Sequence, residues 1–331
     1  MRVNTDQRLG FADLEVVTPE TELDTVGALV DWEAIDTLLS PLGGDYRALS
    51  LFKMLLLQTW HNLSDEGVAV ALHRDLVFIR FCGFSVSGNK PDAATLCRFR
   101  KRLTDSGLLG TVLAQVNASL TAQGLKVVHG KYLSSDATLI QSTRRPRKAI
   151  ETDNDDNAVN VTYSDDTDAS WLKKGDQCVY GYSASVTTDE DGLVESVTTF
   201  PANRSEMTRL EEVLEPMNTQ PGQVLLYDKG VDSNANRTLL KAHGLKDGLM
   251  RKKPKSKPMT HWNRVRNQLI GRRRFVVERT FGTLKRTYGL HRARYLGLIK
   301  TQAEVLIKSI AYNLKRGINR YRNPDLQVSY V

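Results

Sequence analysis

The apolar pattern of this chain changes period at Gly130, and that change limits it to two kinds of fold in a fixed order. From Trp32 to about Gln123 the apolar residues recur at helical spacing. Residues 31–39, 50–60 and 64–72 read as helices, the second so apolar that it must be buried. Asp92 is placed to cap a further helix that runs to Leu103 and carries Arg98, Arg100, Lys101 and Arg102. A helix, a turn and a basic helix resemble a helix-turn-helix DNA reader. Cations at a helix C-terminus also complement its dipole, so a plain helical bundle fits as well. After Gly130 the spacing is that of strands. One closes at Asp136, two more (179–188 and 193–200) form a hairpin across Asp189-Glu190-Asp191-Gly192, and another closes at Asp228. Helices are predicted over 205–217, 233–243, 264–288 and 301–316, with an edge strand at Gly248-Leu249-Met250. The stretch 141–176 is rich in Asp and Asn, lacks an apolar frame and reads as a long mobile acidic loop.

This order predicts an α/β class: a ribonuclease-H-like mixed sheet covered by helices, preceded by an all-α N-terminal domain. The expected boundaries are 1–128 for the N-terminal part, with an extended arm over 1–25, then 129–320 for the sheet domain and 321–331 for a tail. In such a topology the first strand lies beside the later parallel strand, which would bring Asp136 and Asp228 together.

Charge is distributed unevenly. From Arg251 onward the chain carries 21 Lys and Arg against Glu278, Glu304 and Asp325, whereas the first 250 residues carry 25 against 35 acids. A basic quarter on an acidic remainder points to a polyanion, with nucleic acid favoured over a lipid surface or a solvated helical face. The three cysteines are widely spaced and form no zinc pattern, which fits reduced thiols in a cytosolic protein. No secretion signal or membrane span is read from the sequence.

The third acid is Glu278, within the arginine-rich run 272–279. Arg274 and Glu278 are about 40° apart around a helix, and Lys285 is roughly 20° short of two turns from Glu278, so the three share one face. Two carboxylates at strand ends and one on a helix can hold two divalent cations against a phosphodiester. Alone, the Arg274–Glu278 spacing is equally that of a solvated ion pair.

Arg274 through Arg286 resembles the Arg-(3)-Glu-(6)-Lys signature of bacterial insertion-sequence DDE transposases of the insertion-sequence-five type. Asp136-Ala137-Thr138-Leu139-Ile140 is similar to the first-Asp motif of that family and Tyr227-Asp228-Lys229-Gly230 to its second. Tyr180-Gly181-Tyr182, Thr199-Phe200-Pro201-Ala202-Asn203 and Arg292-Ala293-Arg294-Tyr295 fit intervening and trailing blocks. The family often has Tyr where Gly271 stands, and Gly-Tyr where Gly230-Val231 stands. The resemblance implies catalysis by Asp136, Asp228 and Glu278 with two Mg²⁺ ions, for which Mn²⁺ can substitute. It implies DNA partners, namely terminal inverted repeats and a target, and a homodimer on that DNA. Arg274, Lys285, Arg279, Arg286, Arg292 and Arg294 would contact DNA, with Arg98, Arg100, Lys101 and Arg102 of the N-terminal basic helix. Trp171, Trp262 and Tyr288 are candidates for stacking on a frayed base. The rival readings are an inactive DNA-binding descendant, a structure-specific nuclease of the same fold, and a non-enzymatic assembly protein with an acidic partner.

Overall fold

The computed structural model describes residues 21–128, 130–144, 149–152, 159–162 and 165–323. The chain divides into two compact units between Phe99 and Arg100.

The first unit is helical. Helices α1 (Glu22–Leu29), α2 (Trp32–Leu39), α3 (Ala48–Trp60), α4 (Asp65–Ala71) and α5 (Leu76–Cys82) precede α6 (Ala93–Asp105), inside which the division falls. Thr21 and Asp24 form a reciprocal capping box, so residues 22–25, expected in an extended arm, begin a helix. Residues 1–20 of that arm lie outside the described residues. Asp31 and Ser64 accept backbone N–H groups at the starts of α2 and α4, and Asp92 does the same at Thr95. Nearly every side chain of α3 is buried, as its apolar run requires. Helix α5, capped by Asp75, was not anticipated. It is joined to α6 by residues 83–92, far longer than the turn of about three or four residues in a helix-turn-helix. The short-turn reading is therefore corrected. The Cys82 thiol is pushed up to about 12 by burial, which makes it a packing residue rather than a nucleophile.

The second unit contains α7 (Leu109–Ala122) and a six-stranded mixed sheet. Its strands are β1 (Tyr132–Gln141), β4 (Ser170–Lys174), β5 (Gln177–Thr188), β6 (Val194–Pro201), β7 (Val224–Tyr227) and β8 (Lys246–Leu249); β2 (Ala149–Thr152) and β3 (Val159–Thr162) form a separate ribbon. Strand order is β4-β5-β1-β7-β8, with β6 also on β5. The hairpin strands run antiparallel to β1, while β1, β7 and β8 are parallel. This is the mixed sheet expected from the element order. Helices α8 (Leu210–Leu214) and α9 (Asn234–Ala242) cover one core, built on Leu133, Leu225, Tyr227, Leu240 and Leu249. The long helices α10 (His261–Arg286) and α11 (Leu298–Arg322) complete the unit; α10 packs on β1, β5 and β7, and α11 on β5, β6 and α7.

Three differences from the sequence reading have physical causes. Helix α7 belongs to this unit, not the N-terminal one: Asn117 and Asn313 bond to each other and to the carbonyl of Val194, locking α7, α11 and β6 together. The helix expected over 205–217 is a 3-10 turn (Glu206–Thr208) and the short α8, broken at Arg209, whose buried guanidinium reaches Ser183 Oγ and lies over the Phe200 ring. Within the acidic stretch 141–176, expected as a mobile loop, β2 pairs with β3, and β5 recruits β4 by backbone pairing. Within it, Asp166 accepts from Ser142 Oγ, Tyr182 OH and Gly297 N, and Asp168 accepts from Leu298 N at 2.9 Å, pinning the start of α11.

Asp189 closes the β5–β6 turn by accepting the N–H groups of Asp191 and Leu193. Burial raises its carboxyl to about 7, with Lys126 opposing the rise and Glu195 adding to it. The unfolded carboxyl titrates at about 3.9, so the folded protein holds this proton more tightly. Stability is therefore expected to fall as pH rises from about 4 through 7. Urea unfolding at pH 5.5 and 8 checks this: Asp189→Asn should flatten the difference.

Candidate active site

Asp136, expected to close its strand, instead lies in the middle of β1, which runs on to Gln141 because β5 pairs along its whole length; Asp228 stands immediately after β7. The last paired residues of these parallel strands are Ser134 and Leu226, and two steps further along each strand stand the two aspartates. Asp228 keeps extended backbone angles, so the continuation holds. Parallel partners at equal steps project from the same face, and Asp136 and Asp228 thus share the face on which α10 packs. Asp228 also caps the 3-10 turn Lys229–Val231 by accepting from Gly230 N, which orients its carboxylate.

Helix α10 buries Ile270, Arg274, Val277, Phe281 and Leu284, a stripe at three- and four-residue steps. Arg274 reaches across to Asp136, with Nη2 3.1 Å from Oδ2; the two side chains are 7% and 24% exposed. Of the face shared by Arg274, Glu278 and Lys285, Arg274 is thus turned onto β1, while Lys285 is exposed. Glu278 is exposed at the edge of that stripe, and its charge is felt at Asp136. Burial pushes the Asp136 carboxyl above the usual carboxylate range. The Arg274 guanidinium and the Ala137 N–H, 2.9 Å away, oppose that rise, whereas the charges of Asp228 and Glu278 add to it. Carboxylates offer hard oxygen donors of the kind a divalent cation takes. Among the described residues, however, no three His, Cys, Asp or Glu side chains stand ready to hold one ion. The cation that meets Asp136 is the guanidinium.

Comparison with known proteins decides the family. Residues 133–314 match the family described as transposase DDE domain, and residues 13–102 match the transposase domain DUF772. The chain belongs to the DDE transposases. It is 38% identical over 229 residues to the transposase for insertion sequence element IS1106 of Neisseria meningitidis serogroup B, covering 69% of this chain and 79% of that protein. A looser likeness, with a TM-score of 0.43 and 9% identity, is to the cryo-EM structure of the piggyBac transposase synaptic complex with hairpin DNA; it spans 91% of this chain and 73% of that one.

The remaining cations of the transposase are dispersed. Lys285 and Arg286 are exposed near the end of α10. Arg279 is half-buried beside the β5–β6 turn, where Thr280 Oγ1 donates to the carbonyl of Gly192 at 3.0 Å. Gly192 has φ +84, and a Cβ there would sit 3.0 Å from Val276 Cγ1, so only glycine lets α10 come this close. Arg292 is exposed and donates to the carbonyl of Thr143 just past β1; Gln141, at that strand end, is about 17 Å along the strand from Asp136. Arg294, also exposed, lies in the same trailing segment, so neither is brought to the triad. On α6, Arg98, Lys101 and Arg102 are exposed, but Arg100 is buried with its guanidinium 4.5 Å from the Tyr295 ring centre, a packing role rather than a DNA-facing one. Arg274, expected to face phosphates, is likewise buried as it stands. Trp171 and Trp262 are exposed, while Tyr288 is buried and unavailable for stacking. Gly271 has open space where a side chain would point, so a larger residue fits there; Val231 is fully buried in the α8–α9 core.

Two supporting residues escaped the sequence reading. Asn236 donates to the carbonyls of Met207 (3.0 Å) and Val231 (2.8 Å), tying the two 3-10 turns together beneath Asp228. Glu206 Oε2 lies 3.1 Å from where a Cβ on Gly230 would stand, beside Asp228 Oδ1. Their positions come from chain reversals that no local pattern encodes. Asn236→Ala should lower stability by about 1–3 kcal/mol, since two buried carbonyls lose a donor. Thermal unfolding checks this.

No helix among the described residues is long and apolar enough to cross a membrane.

Proposed function

We propose that this transposase binds the terminal inverted repeats of its mobile element, cuts the DNA there and joins the 3′-OH ends to target DNA, with Asp136, Asp228 and Glu278 as the catalytic acids. The observation that supports the reading is the strand register that aligns Asp136 with Asp228, together with the Arg274 contact that sets α10 beside Asp136. The three side chains are carboxylates, the hard oxygen donors that Mg²⁺, or Mn²⁺ in its place, takes. Such ions, when bound, supply an activated water or 3′-OH and stabilise the leaving oxygen. The chain's own part would be to hold the three acids on β1, after β7 and on α10. Lys285, Arg286 and Arg279 of α10 would position terminal phosphates, with Arg292 and Arg294 further out. Arg98, Lys101 and Arg102 form a separate basic face on α6. Joining two ends in one event calls for a homodimer on DNA. The setting in which all this takes place is the bacterial cytoplasm, at the nucleoid.

The test uses purified full-length protein, Mg²⁺ or Mn²⁺, and duplex DNA carrying the repeats that flank the gene. Cleavage at the repeat ends is the expected result. End binding that persists with no cleavage under either metal would mark an inactive DNA-binding descendant, and cleavage without regard to the repeats a structure-specific nuclease. Lys285→Ala should weaken end affinity by about three- to tenfold, the scale of one lost phosphate contact, with a shallower salt dependence. An unchanged affinity would count against its role.

A further inference from the structure

Arg274 is a buried cation with few acceptors; a buried Nε without a hydrogen-bond partner is a feature it shares with Arg209, Arg237, Arg266, Arg279 and Arg316. Its side chain is 7% exposed, and a guanidinium has five N–H donors to satisfy. Among the described residues it meets Asp136 at 3.1 Å and the weak acceptor Met250 Sδ at 3.7 Å, while its Nε is buried with no partner at all. A buried arginine normally has a fuller set of acceptors. This one is held mainly by a single carboxylate oxygen, and that oxygen belongs to the residue most central to the acid cluster. Asp136 in turn has the charges of Asp228 and Glu278 around it.

We propose that Arg274 is the built-in counter-ion of the catalytic centre, occupying Asp136 in the DNA-free protein and releasing it when a DNA phosphate draws the guanidinium away. The proposal rests on the reading that the three acids hold divalent cations. A tethered cation on Asp136 competes with a free divalent ion for the same oxygen. A phosphate offers the guanidinium the two-pronged acceptor it lacks in the protein. Its place one turn before Glu278, on the same face of α10, lets a change of side-chain conformation suffice: the guanidinium moves from β1 toward the DNA while the helix stays in place. Metal loading and DNA binding are then coupled, each strengthening the other by the same factor. An enzyme built this way keeps its cutting centre neutralised until a strand is in place.

Mn²⁺ binding to the full-length protein, measured by titration calorimetry or electron paramagnetic resonance without any turnover, tests this. Arg274→Gln removes the competing charge and should raise Mn²⁺ affinity in the absence of DNA, by roughly 5- to 150-fold if the coupling is of ordinary size. Arg274→Lys keeps a cation and should stay near wild type. Duplex ending in the inverted repeat should raise the Mn²⁺ affinity of the wild-type protein and leave that of Arg274→Gln unchanged. An Arg274→Gln affinity equal to or below wild type, or an equal gain in Arg274→Lys, overturns the proposal. If Arg274→Gln fails to fold, a wild-type affinity indifferent to DNA overturns it alone. Asp136→Asn separates the two levels. Mn²⁺ binding that survives this change sinks the metal-site reading itself, whereas binding lost in Asp136→Asn but not raised in Arg274→Gln sinks only the counter-ion.

Discussion

Asp136→Asn, Asp228→Asn and Glu278→Gln are each expected to reduce end cleavage by about a thousandfold or more, the scale of removing a group that stabilises charge in the transition state. End binding should remain within about threefold of wild type, because the cations along α10 are untouched. The three variants should nonetheless differ in one respect. Asp136 is the charged partner of the buried Arg274, and an amide in its place accepts a weaker hydrogen bond. Asp136→Asn should therefore cost about 1–3 kcal/mol of stability, while the partly exposed Asp228 and exposed Glu278 should cost little. Gel cleavage, band-shift affinity and thermal unfolding on the same three proteins separate these effects. Near-normal cleavage by any one of them would show that residue not to be a ligand.

Gly181→Ala should damage the fold more than any surface change. Gly181 sits on β5 opposite Gln141 of β1 and Ser170 of β4. A Cβ there would come within 2.7 Å of Ser142 N and 3.0 Å of Gln141 Cα, and closer still to Ile140 O. These are backbone atoms of a paired strand and cannot swing aside as a side chain could. The expected loss is about 3 kcal/mol or more, the upper range of overpacking. In a unit of this size that is a drop of roughly 6–12 °C in melting temperature. By contrast Gly107, with φ +69 but open space around it, should lose only the smaller cost of a strained backbone when changed to Ala. Parallel melts of the two variants check the ranking, and a Gly181→Ala protein as stable as wild type would mean that β1 and β5 do not approach as described.

The parts of the fold legible in the sequence were those with a strong local signal. The α3 run, the helix starts near Asp31 and Ser64, the cap at Asp92 and the strands that carry or lead to Asp136 and Asp228 have their own pattern, though not the continuation of β1 past Asp136 to Gln141. Strand β4 was not legible, because its polar residues 170–174 become a strand only by pairing with β5. Arg209 hid the break before α8, since an arginine on a predicted helix reads as surface until its guanidinium is found buried against Ser183 and Phe200. At the candidate site, helical spacing put Arg274 and Glu278 on one face. What that spacing cannot show is that Arg274 would turn inward onto Asp136, nor that Asn236 would brace the turn after Asp228. Both depend on elements far apart in the chain.

The asparagine ladder between α7 and α11 bears on how such genes diversify. Because α7 fills the core of the sheet unit, a swap of N-terminal regions between related elements at residue 128 would pair each catalytic half with a foreign wedge. Val112, Val116 and Leu120, all fully buried, would have to match an α11 they had not co-adapted with. Productive recombinants should instead have their crossover points upstream of Arg100, so that α7 is inherited with the catalytic half it stabilises.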